Sequence, residues 1–350
     1  MTDSLRSARI PNPDSEYGLP HHLIEKLESI ADGDVEKQFA EYCHKHNTRK
    51  WIIGTDFCIS DANRPNDSFA FVVYPAGAKY EQLMATLNRL PEADLKDVKR
   101  PPRAIVRLLT RGETFGFCFV ADRMRRLFAS ADDMRIMLDG TISDLEIARN
   151  DRLNYRVLPK LRALRQDVNK KSANLKLIEN IFLTSTLCSY IVFLLCRHSL
   201  AEAVGWAPDR DKITESYDGI VYDLTHRGYA ALCSNKGALP LDLFGEFKPP
   251  PENFWADIYV RGADYLAGAA AWDYPKHDAV PFKVAKLLED IFTDNPYVHF
   301  FQISYFVDDI GMGSCDVSRV RMSSRPSKPG IELRPKNLRP LRGRSRILSK

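Results

Sequence analysis

Two apolar runs separated by a short polar connection lie in the first quarter of the chain. Residues 51–61 read WIIGTDFCISD, residues 68–75 read SFAFVVYP, and the turn-prone NRPND stands between them. Runs of β-branched and aromatic residues around a tight polar connection are typical of a β-hairpin. The pattern therefore predicts two antiparallel strands, with Asp56 close to the end of the first.

Strand-like and helix-like patterns alternate through the rest of the chain. Further strands are predicted at residues 113–121, 201–207, 239–247 and 298–307. Helices are predicted at residues 21–46 (one or two surface helices), 79–90, 101–110, 123–165, 213–234, 252–272 and 280–292. Such alternation favours an α/β fold, in which the first three strands are able to pair antiparallel.

Residues 181–196, IFLTSTLCSYIVFLLC, are apolar almost all round. The run is shorter than the roughly 20 residues that a membrane-spanning helix needs, and it contains four Ser and Thr side chains. These are Thr184, Ser185, Thr186 and Ser189. The segment is therefore predicted to belong to a buried central helix over residues 174–198 rather than to a membrane span.

Charge is distributed unevenly along the chain. The 350 residues are 44% apolar and 27% charged, a composition that supports one large or two ordinary folded domains and excludes a disordered chain. The net charge is +4, but residues 318–350 alone carry 11 Lys and Arg against one acid. This end is predicted to be a flexible basic arm, either solvated or attracted to phosphate on nucleic acid, a ribosomal surface or a membrane surface. Its candidate nucleic-acid contacts are Arg339, Arg342, Arg344 and Arg346.

The seven cysteines are scattered, mostly within apolar runs, and form no C-x-x-C pair. Free buried thiols in a reducing cytoplasm are the expected state. Residues 1–20 lack the apolar core of a signal peptide, which also favours a cytoplasmic protein. The four histidines at positions 21, 22, 44 and 46 show no recognisable ligand spacing, so a metal site there is disfavoured.

Three widely separated segments place an acid where acids are unusual. Asp56 lies in a predicted strand, where an unpaired carboxylate is costly, unless a loop begins one residue early. The strand at 201–207 runs into PDRD, so Asp209 and Asp211 follow its carboxyl end, where open α/β sheets hold their chemistry. Either acid could instead begin the next helix. Asp264 interrupts a stretch of small apolar residues, which fits a solvated helix face poorly.

Other polar residues have simpler explanations. Asp61 and Asp67 are expected in a turn, and Asp218 and Asp223 on the exposed side of an amphipathic helix. Lys96 and Lys99 follow a predicted helix and either steer a phosphate or belong to a solvated loop. GMGSC at residues 311–315 reads as a turn, because no Walker lysine follows it, and no G-x-S-x-G elbow occurs.

At residues 263–268, Ala-Asp-Tyr-Leu-Ala-Gly, the chain resembles a large bacterial family of RNase H-like proteins of unknown function. The first strand of that family ends in Asp-Glu-Ser-Gly, and its late motif reads Gln-Leu-Ala-Asp, an aliphatic residue, Ala and Gly. The resemblance spans about residues 50–275 and implies an RNase H-like mixed sheet flanked by helices. It also implies a carboxylate site for Mg²⁺ or Mn²⁺, formed by Asp56, Asp209 or Asp211, and Asp264. At the early motif this chain has Phe57, Cys58 and Ile59, and at the late one Arg261 and Gly262.

Two functional hypotheses follow. The first is a metal-dependent nuclease of RNase H type, with the basic arm adding affinity for nucleic acid. The second is a catalytically degenerate RNase H-like module that binds nucleic acid or a protein partner as a scaffold in a larger complex, with defence against mobile DNA as a possible setting. The expected organisation is a leader with helices over residues 1–47, the α/β domain over 48–310 with a helical insertion at 123–171, and the basic tail over 318–350.

Overall fold

A mixed β-sheet with helices on both faces organises the chain. The structure is a computed structural model that describes residues 19–31, 33–128, 130–147, 152–246, 256–272, 280–307 and 313–321. Within these residues the sheet has seven strands in the order β5-β4-β1-β2-β3-β6-β7. The strands are β1 (Lys50–Cys58), β2 (Asn66–Pro75), β3 (Phe115–Asp122), β4 (Ala203–Pro208), β5 (Leu243–Glu246), β6 (Val298–Val307) and β7 (Gly313–Val320).

The predicted hairpin is confirmed. β1 pairs antiparallel with β2, with Asp56 opposite Ala70, and β2 pairs antiparallel with β3. β4 runs parallel to β1, and β5 runs parallel to β4. On the other side β6 is parallel to β3, and β7 is antiparallel to β6.

Two helical layers cover the sheet. The helices are α1 (Leu19–Ala31), α2 (Asp34–His46), α3 (Tyr80–Leu87), α4 (Arg103–Thr110), α5 (Ala131–Ile147), α6 (Arg152–Val168), α7 (Leu175–Ser199), α8 (Lys212–Lys236), α9 (Asp257–Ala270) and α10 (Phe282–Phe292). The first face packs against α1, α2 and α5 to α8, and the second against α3, α4, α9 and α10. α1 and α2 were expected at the surface, yet each contributes a buried apolar side to the first core.

β2 divides its side chains between the two cores. Phe69, Phe71 and Val73 belong to the first core, whereas Ala70 and Val72 belong to the second. This alternation follows from the two-residue repeat of a strand. Because every one of these residues is fully buried, β2 is the centre of the fold.

α7 is the predicted central helix. It is long and apolar enough to cross a membrane, but 94% of its most apolar window is buried inside the fold. Within the helix, Thr186 donates to the carbonyl of Phe182 at 2.8 Å and Ser189 to that of Ser185 at 2.7 Å, whereas the buried hydroxyl of Thr184 has no hydrogen-bond partner among the described residues. The helix is therefore a core element of this fold.

The structure corrects several predicted boundaries. β7 was not predicted, and it includes Gly313 to Cys315, which were assigned to a turn, and residues 318–320, which were assigned to the basic tail. The helical region expected from residue 123 begins at Ala131 and forms two helices, α5 and α6. The expected leader at residues 1–18 and the tail from residue 322 lie outside the described residues.

α8 contains a turn with left-handed backbone conformation. Tyr217, Asp218 and Gly219 have positive φ angles of 53°, 54° and 67°, which separate a short first turn from the main helix. Left-handed backbone is unfavourable for residues with a Cβ. The Nζ of Lys160 on α6 donates to the carbonyl of Asp218 at 2.7 Å, and this contact holds the turn against the neighbouring helix.

Asp67, which was expected in a turn, and Asp223, which was expected on an exposed helix face, are both buried. Asp67 is the second residue of β2, has no exposed surface, and forms an ion pair with Arg125. Asp223 faces α6, where Lys160 lies 2.6 Å and Arg156 2.9 Å from its carboxylate. In each case, basic side chains from a distant segment neutralise the buried charge. The sequence pattern around each acid does not reveal these basic partners.

Candidate acidic site

The candidate site lies where β1 and β4 end side by side. The register pairs Thr55 with Pro208, and the backbone N–H of Asp209 continues the ladder by donating to the carbonyl of Thr55 at 2.7 Å. Parallel strands end at the same edge of a sheet. Asp56 and Asp209, which are far apart in sequence, are therefore neighbours at this edge.

Alternation along β1 directs Asp56 toward α9. Trp51 and Ile53 pack in the first core, whereas Ile52 packs in the second core with α9. Gly54 lies directly beneath α9, because a Cβ there would overlap the backbone carbonyl of Tyr259. Asp56 shares this parity, so its carboxyl group faces α9.

Small residues allow α9 to approach the sheet closely. A Cβ at Gly262 would lie 2.8 Å from the hydroxyl of Tyr74, so glycine is required for this packing. Ser68 donates to the carbonyl of Ala267 at 2.7 Å, and Tyr74 donates to that of Tyr259 at 2.9 Å. These bonds fix the helix across β1 and β2 and bring Asp264 to the edge where Asp56 lies.

The carboxyl groups of Asp56 and Asp264 lie within hydrogen-bonding reach of each other, and this contact helps to raise the pKa of Asp56. Each also accepts one backbone N–H: Phe57 donates to Asp56 Oδ1 at 2.7 Å, and Leu95 donates to Asp264 Oδ2 at 3.0 Å. Two carboxylates at contact distance cannot both ionise without strong repulsion. The pair therefore binds either a proton or a cation between its oxygens.

Burial and mutual repulsion raise the pKa values of all three acids. For Asp56 the largest cause is desolvation, followed by the charges of Asp264 and Asp209. The pKa of Asp264 is raised first by desolvation and then by the charge of Asp94. Asp209 is the exposed member, and its pKa is raised by partial desolvation and by the surrounding carboxylates. The site is thus a concentration of negative charge.

Two acids near the site were not predicted. The charge of Asp94 acts on both Asp209 and Asp264, and that of Asp257, in the first turn of α9, acts on Asp209. Asp94 lies in the loop between α3 and α4, which has no periodicity that would have marked it. Asp257 reads as an ordinary acid at a helix N-terminus.

Asp211 has a local structural role. It is the N-cap of α8 and forms a capping box with Thr214, in which its carboxylate accepts from the backbone N–H of Ile213 at 3.3 Å. The prediction that one of these acids begins the next helix is therefore correct for Asp211. Its charge also raises the pKa of Asp209. Of the two acids in PDRD, Asp209 is the one at the site.

The predicted basic contacts divide into two groups. Lys96 and Lys99 are exposed on the loop that carries Asp94, and the Lys96 ammonium lies 2.8 Å from the Asp94 carboxylate. The predicted contacts at Arg339, Arg342, Arg344 and Arg346 lie outside the described residues. The described part of the chain therefore places one pair of candidate phosphate-binding residues on the loop that reaches the site.

Among the described residues, no three His, Cys, Asp or Glu side chains are grouped closely enough to hold a metal ion. His46 bonds the carbonyl of Gly112 at 2.9 Å, and His22 lies 3.8 Å from Glu25. The contact pair of Asp56 and Asp264 supplies two hard oxygen ligands, with Asp209 beside them. All seven cysteines are free.

The geometry thus gathers acids from β1, the end of β4, the α3–α4 loop and α9 at one edge of the sheet. Comparisons of the chain with protein-family models, with curated proteins and with solved structures find no match.

Proposed function

We propose that the protein is a divalent-cation-dependent hydrolase of phosphodiester bonds in nucleic acid, of RNase H type. One observation carries the proposal: the carboxyl groups of Asp56 and Asp264, supplied by the first strand and a late helix, are in contact beside Asp209. Carboxylates from separate elements at one sheet edge are the donor set that such hydrolysis uses.

The donor chemistry fits Mg²⁺ or Mn²⁺. Both are hard cations that prefer carboxylate oxygen, and a cation between Asp56 and Asp264 would relieve the repulsion that raises their pKa values. When bound, such an ion supplies an activated water and neutralises charge on the phosphate. The protein's own contribution is to hold the Asp56–Asp264 pair rigidly between the sheet and α9, and to present Asp209 to solvent at the rim.

The strand arrangement supports the RNase H type. β1, β2 and β3 form an antiparallel meander, and β4 and β5 join β1 on its other side as parallel strands. β6, which was predicted, and β7, which was not, extend the sheet beyond β3, outside the residues that the family resemblance covers. A cytoplasmic location is part of the proposal and is supported by the seven free thiols.

The degenerate scaffold is the second candidate, and it is favoured by the lack of a ready three-ligand group among the described residues. The presence of Phe57, where the resembled family has Glu, does not add support to the scaffold. Residue 57 points away from α9 into the first core, where its ring lies 5.9 Å from that of Phe69. An acid at that position would not join Asp56 on the same face of β1.

The proposal is tested by incubating the purified protein with Mn²⁺ and labelled DNA or RNA. We expect cleavage by the wild type and a loss of about 100-fold or more in both Asp56→Asn and Asp264→Asn. Asp242→Asn, an exposed acid beside the start of β5 at the opposite end of the strands, is the matched control. No cleavage by the wild type, together with no gain in melting temperature on adding Mn²⁺, would leave the scaffold as the function.

A further inference from the structure

The loop between α3 and α4 is fixed to the acidic site although it has no regular structure. It is held by α9 and α10 through four contacts. The backbone N–H of Leu95 donates to Asp264 at 3.0 Å, and the hydroxyl of Tyr265 donates to the carbonyl of Ala93 at 2.8 Å. The other two are from Arg261 to the Leu90 carbonyl at 3.1 Å and from Lys283 to the Lys96 carbonyl at 2.7 Å.

These contacts bring two ammonium groups to the edge of the site. Lys96 directly follows Leu95, whose N–H binds Asp264, and 72% of the Lys96 side chain is exposed. Its partner Asp94 is itself half-exposed, and an ion pair of this kind contributes little, so a phosphate can replace it. Lys283 binds a carbonyl oxygen, which is neutral and leaves the positive charge available.

The same loop continues outward with exposed Lys99 and Arg100, and with exposed Asp97 between them and Lys96. Together with Lys283, these cations outnumber the acids of the loop, so one rim of the site is positive on balance, while its bottom is negative. The cations on the rim attract the phosphates of a polyanion. The carboxylates bind the divalent cation at the phosphate that reacts. A loop already ordered by α9 and α10 loses little entropy on binding.

We propose that the α3–α4 loop is the phosphate-binding platform of the protein, on which Lys96 and Lys283 hold the backbone of a nucleic-acid strand as it enters the acidic site. The platform rests on the proposed function for its substrate class. The residues it adds are positioning residues, since their contact is with phosphates next to the reacting one. Lys283 had no sequence signal, because it lies in the first turn of α10, far from the loop in sequence.

The test measures binding separately from cleavage. Asp56→Asn/Asp264→Asn is used as the background, because removing these carboxylates silences the site and also removes their repulsion of phosphate. Lys96→Gln and Lys283→Gln are added singly and together to the full chain, and Lys171→Gln is the control. Lys171 is an exposed lysine just before α7, and α7 packs on the opposite face of the sheet. Affinity for labelled single-stranded DNA and RNA of the same sequence is followed as a function of salt.

We expect the double lysine variant to bind about threefold to tenfold more weakly at low salt, and the slope of log affinity against log salt to fall by about 0.7 for each lost contact. Lys171→Gln should match the background protein. Unchanged affinity and slope in the double variant, or no measurable binding by the background protein, would overturn the platform. Platform binding without any cleavage by the wild type would instead reject the hydrolase and leave the platform standing.

Discussion

At the scale of single residues, this site differs from ordinary surface acids because side chains alternate between the two faces of β1. Asp56 shares a face with Ile52 and Gly54, and this face is covered by α9. A carboxylate there is desolvated and lies against a second carboxylate, which raises its pKa. Folding has therefore assembled an unfavourable pair of groups, as is common where a site serves function rather than stability.

This cost gives a stability prediction for the cation-free protein. Because the folded-state pKa values of Asp56 and Asp264 are raised, the folded chain retains protons that the unfolded chain has lost. Stability is therefore complete at pH values below the ordinary aspartate pKa and falls as the pH rises through the raised pKa of the pair. In EDTA at neutral pH, we expect Asp56→Asn to raise the free energy of unfolding by about 1 to 3 kcal/mol.

Urea unfolding at several pH values measures this effect. The wild type and Asp56→Asn should converge at acidic pH, where the pair is protonated, and Asp242→Asn should follow the wild type throughout. Saturating Mn²⁺ should narrow the difference at neutral pH, because only the wild type retains both ligands. A variant that is less stable than the wild type at neutral pH in EDTA would contradict the electrostatic account.

At the scale of elements, the site depends on how closely α9 lies on the sheet. Gly54 has no room for a Cβ, and hydroxyl donors from β2 bind the carbonyls of α9. Changes that lift the helix would therefore separate Asp264 from Asp56 without altering either acid.

Gly54→Ala tests this packing. We expect it to destabilise the fold by about 1 to 3 kcal/mol, because the new methyl group overlaps the backbone of α9, and to weaken Mn²⁺ binding. Gly245→Ala is the matched control, since Gly245 is also a strand glycine but has nothing within 4 Å of its added Cβ. Calorimetric melting with and without Mn²⁺ provides both readouts. Equal effects of the two substitutions would show that the contact with α9 is not tight.

Sequence patterns were most informative where a side chain's surroundings are local. The hairpin, the buried helix α7 and the strand before Asp209 follow from runs of apolar residues, and their bounds were close to those observed. Asp56, Asp209 and Asp264 were marked because each acid interrupts or ends an apolar run. Asp94 and Lys283 carried no such mark, since their proximity to the site arises only when the α3–α4 loop folds onto α9 and α10.

At the scale of the whole molecule, a buried polar cluster joins the loop after β3 to the sheet and to α7. Arg125, in this loop, forms an ion pair with Asp67 of β2 and donates to Asn180 of α7 at 2.6 Å. Lys176 of α7 lies 3.3 Å from the same carboxylate. One buried aspartate thus connects β2, the loop after β3 and the central helix, on the face opposite the acidic site.

Removing that aspartate charge should affect the whole fold. We expect Asp67→Asn to lower the free energy of unfolding by about 3 to 5 kcal/mol, because Arg125 would remain buried without its counter-charge. Asp139→Asn is the control: its pair with Arg165 is exposed and should contribute less than about 1 kcal/mol. Chemical denaturation of the two variants makes the comparison. A loss at Asp67 no larger than that at Asp139 would mean that water or a rearranged partner compensates Arg125.

The two-faced pairing of β1 with β2 has a consequence for how the protein reaches its native state. A slip of the hairpin by one residue would exchange the faces of the shifted strand, so if β2 shifted, its residues that now pack in the first core would meet α9, and those that now pack against α9 would face the first core. Chains that closed the hairpin in that register would bury the wrong side chains of the shifted strand in both cores. They would have to reopen the hairpin before folding further. The position of Asp56 at the acidic site and the correct burial of the sheet therefore depend on the same alignment of two neighbouring strands.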